Sequence, residues 1–275
     1  MMSILPNIAK RIYYSLIRLK MRIMLEQSLL NIKTRRRYRN SFKSLKNIHK
    51  GKRCFIIGNG PSLTSEDLTL LKEEYTFAAN RIFYIFNKTP WRPTYYCAQD
   101  DVVIQDIADK FEAIEPEVSR MFLISESQKI VSSNVIKSDK VQFFCAEYVS
   151  AHKHVGFSEK IEDHICGGGT ITYAAIQIAA YMGFSEIYLL GVDHNYASSS
   201  FKDNNVSADD VAGSYFEGMP TNIKMTKPNT DNSTRSFIKA KEYGDSHGIK
   251  IYNSTRGGKL EVFPRKTLEE VIEHG

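Results

Sequence analysis

The stretch of residues 54–63 constrains the fold of this chain more than any other. It reads Cys-Phe-Ile-Ile-Gly-Asn-Gly-Pro-Ser-Leu. Four apolar residues predict a short buried strand, which the glycines and Pro61 bring to an end. Ser62 or Thr64 can then cap a helix, because short hydroxyl side chains accept hydrogen bonds from the first free N–H groups of a helix. A strand, a glycine turn and a helix in this order predict an α/β sheet.

The glycine turn is the first candidate binding element. Backbone N–H groups at such turns bind phosphate in many α/β proteins, since glycine lets a ligand approach the backbone closely. We therefore predict that Gly58, Asn59, Gly60 and Ser62 bind a ligand; a plain β–α turn is the alternative interpretation. The turn has neither the GxGxxG spacing of a dinucleotide site nor the lysine of a P-loop, which argues against both of those sites.

Apolar runs of strand length recur along the chain and alternate with segments of helical pattern. The runs are residues 75–80, 94–98, 121–125, 141–145, 186–192 and 248–253. This alternation predicts a Rossmann-like α/β fold, in which helices cover both faces of a mostly parallel sheet.

Polar side chains follow two of these runs. Asn80 follows the first of them, and Gln99 and Asp100 follow the second. Ligands of such sheets bind beyond the carboxyl ends of the strands, so we expect these residues to share one crevice with the glycine turn. Amide side chains both donate and accept hydrogen bonds, which suits a base or a ribose better than a bare phosphate. Asp100 and the adjacent Asp101 are also candidate metal ligands, but capping of the next helix explains the pair without a metal.

A second glycine-rich element precedes a helical segment of little charge, residues 171–182. It consists of Gly167, Gly168, Gly169 and Thr170. Three glycines before a buried helix allow very close approach of a ligand to the backbone, so all four are candidate binding residues.

The strand of residues 186–192 ends in the cluster that is richest in proton-transfer groups. Asp193, His194 and Tyr196 lie there. The side chain of His194 titrates nearest to neutral pH, and we predict that it acts as a general base; a packing or capping role is the alternative.

Two later segments complete the candidate site. Residues 197–231 are polar and without period, which is typical of a lid over a site or of a disordered segment. A helix is predicted over residues 237–243. Arg256 lies in a further glycine turn, Ser-Thr-Arg-Gly-Gly, whose composition is typical of anion binding. We predict no metal site, because the histidines and cysteines lack a complete ligand spacing.

The first 53 residues carry most of the positive charge. They hold 15 of the chain's 37 Lys and Arg and one of its 31 acidic residues, a net charge of +14, whereas the remainder carries −8. Residues 7–32 predict a basic amphipathic helix, which a cationic cluster follows. We favour attachment of residues 7–45 to an anionic membrane surface, ahead of packing on a partner or on the body of the protein. Nucleic-acid binding is disfavoured, since no base-reading module follows.

These patterns divide the chain into a helical segment, residues 1–48, and a Rossmann-like domain, residues 49–275. The four cysteines have no CxxC spacing and three fall in predicted strands, which is typical of free thiols in a reducing compartment. No apolar run reaches the roughly 18 residues that span a bilayer, and no signal peptide is evident. We expect a cytoplasmic protein that is peripheral at the inner face of the membrane.

Three motifs together resemble a known family. They are Gly-Asn-Gly-Pro-Ser-Leu at residues 58–63, Gly-Phe-Ser-Glu-Ile-Tyr-Leu-Leu-Gly-Val-Asp at 183–193 and Ile-Tyr-Asn-Ser-Thr-Arg-Gly-Gly-Lys-Leu-Glu-Val-Phe-Pro-Arg at 251–265. Over about residues 50–265 the chain resembles the MptE-like proteins, which are often encoded in surface-polysaccharide gene clusters. That family is similar in fold to the family 42 bacterial sialyltransferases, a GT-A variant, and to the central domain of the Maf flagellin glycosyltransferases.

The resemblance to the sialyltransferases implies how a CMP-sugar would be held. It implies that Asn59, Gly60 and Asn80 contact the cytidine and phosphate, and that Gln99 replaces an asparagine that contacts the nucleotide. It also implies that residues 167–170 lie along the phosphate or sugar, and that Asp193 and Tyr196 lie near the donor. The histidine that is the general base in the sialyltransferases has no counterpart between His194 and His247. Either His194 takes that role, or the acceptor and the chemistry differ.

Three functions are compatible with the resemblance. The first is a glycosyltransferase of surface-glycan biosynthesis that moves a nucleotide-activated sugar, such as a CMP-nonulosonic acid, to a glycan or lipid-linked acceptor without a required cofactor. Archaeal MptE-like proteins transfer diphosphate to a hydroxymethylpterin, so the second is a diphosphokinase that uses ATP and Mg²⁺, with Asp100, Asp101 or Asp193 as metal ligands. The third is a non-catalytic nucleotide-sugar-binding protein.

Overall fold

The computed structural model describes residues 7–125, 138–147, 155–195, 213–220 and 229–273. Its helices are α1 (Asn7–Lys43), α2 (Ser65–Leu70), α3 (Asp101–Asp109), α4 (Phe111–Ile114), α5 (Ile171–Tyr181), α6 (Thr230–His247) and α7 (Leu268–Glu273). Its strands are β1 (Arg53–Ile57), β2 (Thr76–Ala79), β3 (Tyr95–Ala98), β4 (Arg120–Ile124), β5 (Val141–Phe144), β6 (Ala146–Glu147), β7 (Ile165–Cys166), β8 (Glu186–Leu190) and β9 (Lys250–Asn253). Two short 3₁₀ helices cover Ile82–Lys88 and Glu115–Glu117.

Seven strands form one parallel sheet in the order β5-β4-β3-β2-β1-β8-β9, and β6 pairs with β7 beside it. The predicted Rossmann-like parallel sheet is confirmed. From β1 the chain builds the sheet outward in one direction to β5, and it then returns to add β8 and β9 on the other side. The strand order therefore reverses between β1 and β8, and a crevice opens beyond the carboxyl ends of these two strands.

Helix α1 extends further than its apolar period predicts. The expected end lies at residue 32, but the helix continues to Lys43. Tyr38 and Phe42 are buried, with ring centroids 5.8 Å from Phe143 and 5.9 Å from Phe122. Packing on β4 and β5 thus stabilises the cationic cluster as helix, and the last turns of α1 are part of the core of the α/β domain.

The first part of α1 has a different environment. The predicted apolar stripe of Ile12, Leu16, Leu19 and Ile23 is between 54% and 60% exposed. No helix within the described ranges has the length and apolar character to cross a bilayer. The stripe is therefore an apolar surface that the described part of the chain leaves uncovered.

Helix α5 packs across β1, β2 and β3, and nearly all of its residues are buried. Cys54, Cys97 and Cys145 are buried free thiols, as the strand pattern predicts, and Cys166 is half-buried.

Candidate functional site

The glycine turn joins the carboxyl ends of β1 and β8. The N–H of Gly58 donates to the carbonyl of Leu190 at 2.8 Å, and the N–H of Gly60 donates to the carbonyl of Gly191 at 2.9 Å. A Cβ atom on Gly58 would overlap the carbonyl oxygen of Gly191, so only glycine allows the two backbones to approach this closely. The expectation that the turn presents its N–H groups to a phosphate is wrong for Gly58 and Gly60, because the carbonyls of Leu190 and Gly191 accept from both donors.

The two hydroxyl residues after the turn have different partners. Thr64 caps α2: its hydroxyl accepts from the N–H of Asp67 at 3.2 Å, and the Asp67 carboxylate accepts from the N–H of Thr64 at 3.1 Å. Ser62 instead donates its hydroxyl to the carboxylate of Asp193 at 2.8 Å. Ser62 therefore links the turn to the end of β8.

Two asparagines line the crevice with unused side-chain oxygens. The amide of Asn59 donates from Nδ2 to the carbonyl of Ala79 at 2.8 Å, which directs Oδ1 away from that carbonyl. Asn80 has a left-handed backbone with φ of +53°, and its carbonyl accepts from the hydroxyl of Tyr96. The Oδ1 atoms of Asn59 and Asn80 are buried and have no hydrogen-bond partner within the described ranges. A buried polar atom without a partner costs about 1–3 kcal/mol, so a ligand that donates to both oxygens would gain that energy.

A segment that sequence reasoning placed in the lid forms another wall. The N–H of Phe216 donates to the carbonyl of Asn59 at 3.0 Å, which holds Ser214 and Tyr215 at the crevice. Ser214 Oγ is buried and, in the part of the chain described, unpartnered. Burial raises the pKa of Tyr215, and the positive charge of Arg81, together with a hydrogen bond to it, partly offsets this rise. No motif in the sequence distinguishes these residues, because they meet the turn only in the folded chain.

The second glycine element contributes its last residue to the crevice. Thr170 caps α5 by accepting from the N–H of Thr172 at 3.3 Å, and both residues line the crevice. The amino-terminal end of α5 therefore faces the site with its partial positive charge. Gly168 and Gly169 pack against α6 instead, where added Cβ atoms would meet the side chains of residues 236 and 232. Gly168 and Gly169 thus allow close packing against α6, and neither they nor Gly167 line the crevice.

Asp193 and His194 follow β8. Asp193 is buried, and burial raises the pKa of its carboxyl above the usual range. His194 has φ of +53°, and its ring lies edge-on to Phe237 with centroids 5.8 Å apart. Its Nε2 lies 2.7 Å from the hydroxyl oxygen of Thr234. Burial lowers the pKa of His194, which favours the neutral imidazole that a general base requires.

These elements enclose about 680 Å³, part of which is open to solvent. The predicted residues that line the crevice are Gly58, Asn59, Gly60, Asn80, Thr170, Asp193 and His194. Sequence reasoning missed Ser214, Tyr215, Ser233 and Phe237. The cap at Asn229, which accepts from the N–H of residue 232 at 2.9 Å, is the signal that locates the true start of α6 before Ser233.

Other predicted residues lie elsewhere. Asp100 caps α3, where its carboxylate accepts from two backbone N–H groups at 2.9 and 3.2 Å. Neither Asp100 nor Gln99 lines the crevice. Arg256 is also outside it: its guanidinium forms two hydrogen bonds with the buried Asp67 carboxylate, and the residue lines a separate pocket beside α7. Tyr196 and most of residues 197–231 lie outside the described residues. Within the described ranges, no three His, Cys, Asp or Glu side chains are grouped to hold a metal ion.

Residues 26–199, well over half of the chain, match the family model described as 6-hydroxymethylpterin diphosphokinase MptE-like. The chain belongs to the MptE-like family. The family that the three motifs predicted is thereby confirmed for this MptE-like chain. No curated protein sequence matches it.

Two solved structures are similar to this MptE-like chain. The Maf glycosyltransferase from Magnetospirillum magneticum AMB-1 superposes with a TM-score of 0.52 at 14% identity, covering 86% of this chain and 39% of the Maf chain. The sialyltransferase CstII from Campylobacter jejuni, in complex with cytidine-5'-monophosphate, has a TM-score of 0.46 at 19% identity, covering 78% of this chain and 85% of CstII. The MptE-like chain thus spans about two fifths of the Maf chain. At such identities the likeness to Maf establishes a shared fold.

Proposed function

We propose that this protein is a glycosyltransferase whose crevice between β1 and β8 binds a nucleotide-activated sugar. One observation carries the proposal: three residues that line this crevice, Asn59, Asn80 and Ser214, each have a buried side-chain oxygen without a partner among the described residues (Oδ1, Oδ1 and Oγ). Two of them only accept hydrogen bonds, so the ligand must bring donors. The amino group of a base and the hydroxyls of a ribose are such donors, and a strand-order reversal is where α/β sheets bind nucleotides.

The donor that we propose is a CMP-activated acidic sugar. The amino group of cytosine and the ribose hydroxyls would satisfy the asparagine oxygens. The phosphate would lie toward the amino-terminal end of α5 at Thr170, whose partial positive charge stabilises an anion. This placement supports departure of the nucleotide, because negative charge develops on the phosphate as the glycosidic bond breaks.

In the proposed reaction, the oxygen of an acceptor hydroxyl attacks the anomeric carbon of the donor sugar. The bond between that carbon and the phosphate oxygen breaks, and its electron pair leaves with the nucleotide. The hydroxyl proton passes to the neutral imidazole of His194. Ser62 and Asp193 position the glycine turn against the end of β8.

The family description favours a second candidate function, an ATP-dependent diphosphokinase. Adenine also carries an amino group for the asparagine oxygens. This reaction would require Mg²⁺, which carboxylates would hold and which would neutralise charge on the phosphates. Of the candidates Asp100 and Asp193, only Asp193 lines the crevice, and its carboxylate already accepts from Ser62 at 2.8 Å.

Thermal-shift measurements with CMP, CDP, UDP, GDP and ATP, each with and without Mg²⁺, test both candidates. Ligand at 100 times its Kd adds about 2.7 kcal/mol of stability. We expect a shift with CMP that does not need Mg²⁺ and is lost in Asn59→Ala but kept in Asn87→Ala, an exposed asparagine. A Mg²⁺-dependent shift with ATP and none with CMP would refute the glycosyltransferase and support the diphosphokinase. His194→Ala should keep the CMP shift and lose turnover of the donor; binding without turnover in the wild-type protein would instead support a non-catalytic role.

We also propose that the first part of α1 attaches the enzyme to the inner face of the membrane, near a lipid-linked or glycan acceptor. The exposed stripe of Leu16 and Ile23 would enter the interface, and the basic side chains would contact anionic lipids. Leu16→Ser with Ile23→Ser should abolish salt-sensitive sedimentation with phosphatidylglycerol vesicles, whereas Leu70→Ser, at an exposed position of α2, should not. Equal sedimentation of all variants would refute this attachment.

A further inference from the structure

A second cavity adjoins the crevice at His194. It is a groove between α6 and residues 259–262 with about 810 Å³ of partly open space. His194 belongs to the lining of both the crevice and this groove. Thr234 and Ile238 of α6 line one side of the groove, and Lys259 and Val262 line the other. A ligand in the groove and a ligand in the crevice would therefore both reach the same imidazole.

The hydrogen bonds of Thr234 favour one nitrogen of His194 as the base. The Thr234 hydroxyl donates its single proton to the carbonyl of Thr230 at 2.9 Å. With its proton on that carbonyl, the hydroxyl accepts from Nε2 of His194, which lies 2.7 Å away. In the neutral imidazole the proton is then on Nε2, and the lone pair is on Nδ1. Nδ1 has no hydrogen-bond partner within the described ranges, so it is available to accept a proton from a ligand.

Lys259 provides an uncompensated positive charge in the groove. Its N–H donates to the carbonyl of Asp193 at 2.7 Å, which fixes the lysine backbone beside His194. The other charged groups of the groove are paired: Lys241 with Asp245 at 2.7 Å, Glu242 with Lys239 at 3.1 Å and Glu261 with Arg265 at 2.6 Å. Among the charged groups described in this groove, Lys259 has no ion-pair partner, and its side chain is exposed.

We infer that this groove binds the acceptor, and that the acceptor is a hydroxyl compound with an anionic group, a carboxylate or a phosphate, that pairs with Lys259. This inference rests on the proposed glycosyltransferase function and names the acceptor class for it. The apolar side chains of Ile238 and Val262 would contact the C–H faces of a saccharide. Its hydroxyl would approach Nδ1 of His194, which takes the proton as the oxygen bonds to the anomeric carbon and the nucleotide leaves with the electron pair.

Methyl NMR of the full chain labelled at isoleucine tests the inference without any nucleotide. Glucuronate, glucose 6-phosphate and glucose are titrated separately, and the Ile238 signal is assigned with Ile238→Leu. We expect saturable shifts of the Ile238 methyl signal with one or both anionic sugars but not with glucose. A response to glucuronate alone identifies the anion as a carboxylate, and a response to glucose 6-phosphate alone identifies it as a phosphate.

Lys259→Gln should weaken binding of the anionic sugar at least fivefold. Lys72→Gln, which changes an exposed lysine between α2 and β2, should leave this binding unchanged. Both variants alter an exposed side chain, so both should fold. No shift with either anionic sugar, equal shifts with glucose, or unchanged binding in Lys259→Gln would overturn the inference. The nucleotide thermal shifts are measured separately. Absence of sugar binding in the groove, with the CMP shift retained, can therefore be distinguished from failure of the proposed function, in which the CMP shift is also absent.

Discussion

Replacement of Gly58 by alanine should strongly destabilise the protein, because this position has no room for a side chain. The added Cβ would overlap the carbonyl oxygen of Gly191, and it would lie 2.8 Å from the carbonyl carbon of Gly191 and 3.1 Å from Cγ2 of Val192. Carbon atoms in contact are normally about 3.5–4.0 Å apart. The ends of β1 and β8 would have to separate, since the opposing atoms are mostly backbone.

The magnitude follows from the contacts at this point of the sheet. Separation would weaken the hydrogen bonds from Gly58 to Leu190 at 2.8 Å and from Gly60 to Gly191 at 2.9 Å. Each such bond contributes about 0.5–1.5 kcal/mol, and overpacking in a close-packed region costs about 1–3 kcal/mol. We expect a loss of about 2–6 kcal/mol, a large part of the 5–15 kcal/mol that is usual for a folded protein.

Urea unfolding followed by circular dichroism measures this loss. Gly257→Ala is the matched control: its φ is +62°, and nothing lies within 4 Å of the added Cβ. That variant should lose only the cost of a left-handed alanine, about 1–2 kcal/mol. A Gly58→Ala protein that is no less stable than Gly257→Ala would refute the argument that β1 and β8 are held too close for a side chain.

Three further variants test the packing and the electrostatics. Phe42→Ala should lower the unfolding free energy by about 3–5 kcal/mol in urea, because this buried ring packs 5.9 Å from Phe122; unchanged stability would show that the end of α1 is not part of the core. Arg256→Ala should lower the unfolding free energy by about 1–2 kcal/mol in the same assay, since it leaves the buried Asp67 carboxylate without its cation. This variant should keep any CMP-induced thermal shift; loss of that shift would show that Arg256 takes part in nucleotide binding. Burial raises the pKa of the Asp193 carboxyl, so the folded protein keeps the carboxyl proton to a higher pH than the unfolded chain, in which the pKa is about 3.9. The stability from this group is therefore lost as the pH rises from the unfolded pKa through the folded pKa. Asp193→Asn should therefore gain stability relative to the wild type as the pH rises above the unfolded pKa of about 3.9, and parallel pH profiles of urea stability would contradict this.

Much of the fold could be predicted from local patterns. The six apolar runs correspond to β2, β3, β4, β5, β8 and β9 with bounds within two residues. Strand length, apolar composition and glycine or proline breaks are properties of neighbouring residues, so they can be recognised without tertiary structure. The full length of α1 could not be predicted, because the helix there is stabilised by packing of Tyr38 and Phe42 on β4 and β5, which exist only in the folded sheet.

The candidate site was predictable where it follows a strand directly. Asn59, Asn80 and His194 each come just after a strand, and the parallel sheet brings these strand ends together. Ser214 has no such signal. Arg256 follows β9 in the same way, but the buried carboxylate of Asp67 attracts its guanidinium away from the crevice.

The sequence by itself determined the strands, the glycine turn that must lack side chains and the family to which the chain belongs. These properties depend on local periodicity, on the backbone freedom of glycine and on short motifs. Only the tertiary structure decided that β8 lies beside β1, that the N–H groups of Gly58 and Gly60 are spent on that contact, and that His194 separates two cavities. The reason is that strand order and side-chain partners depend on residues more than a hundred positions apart, whose approach no local pattern encodes.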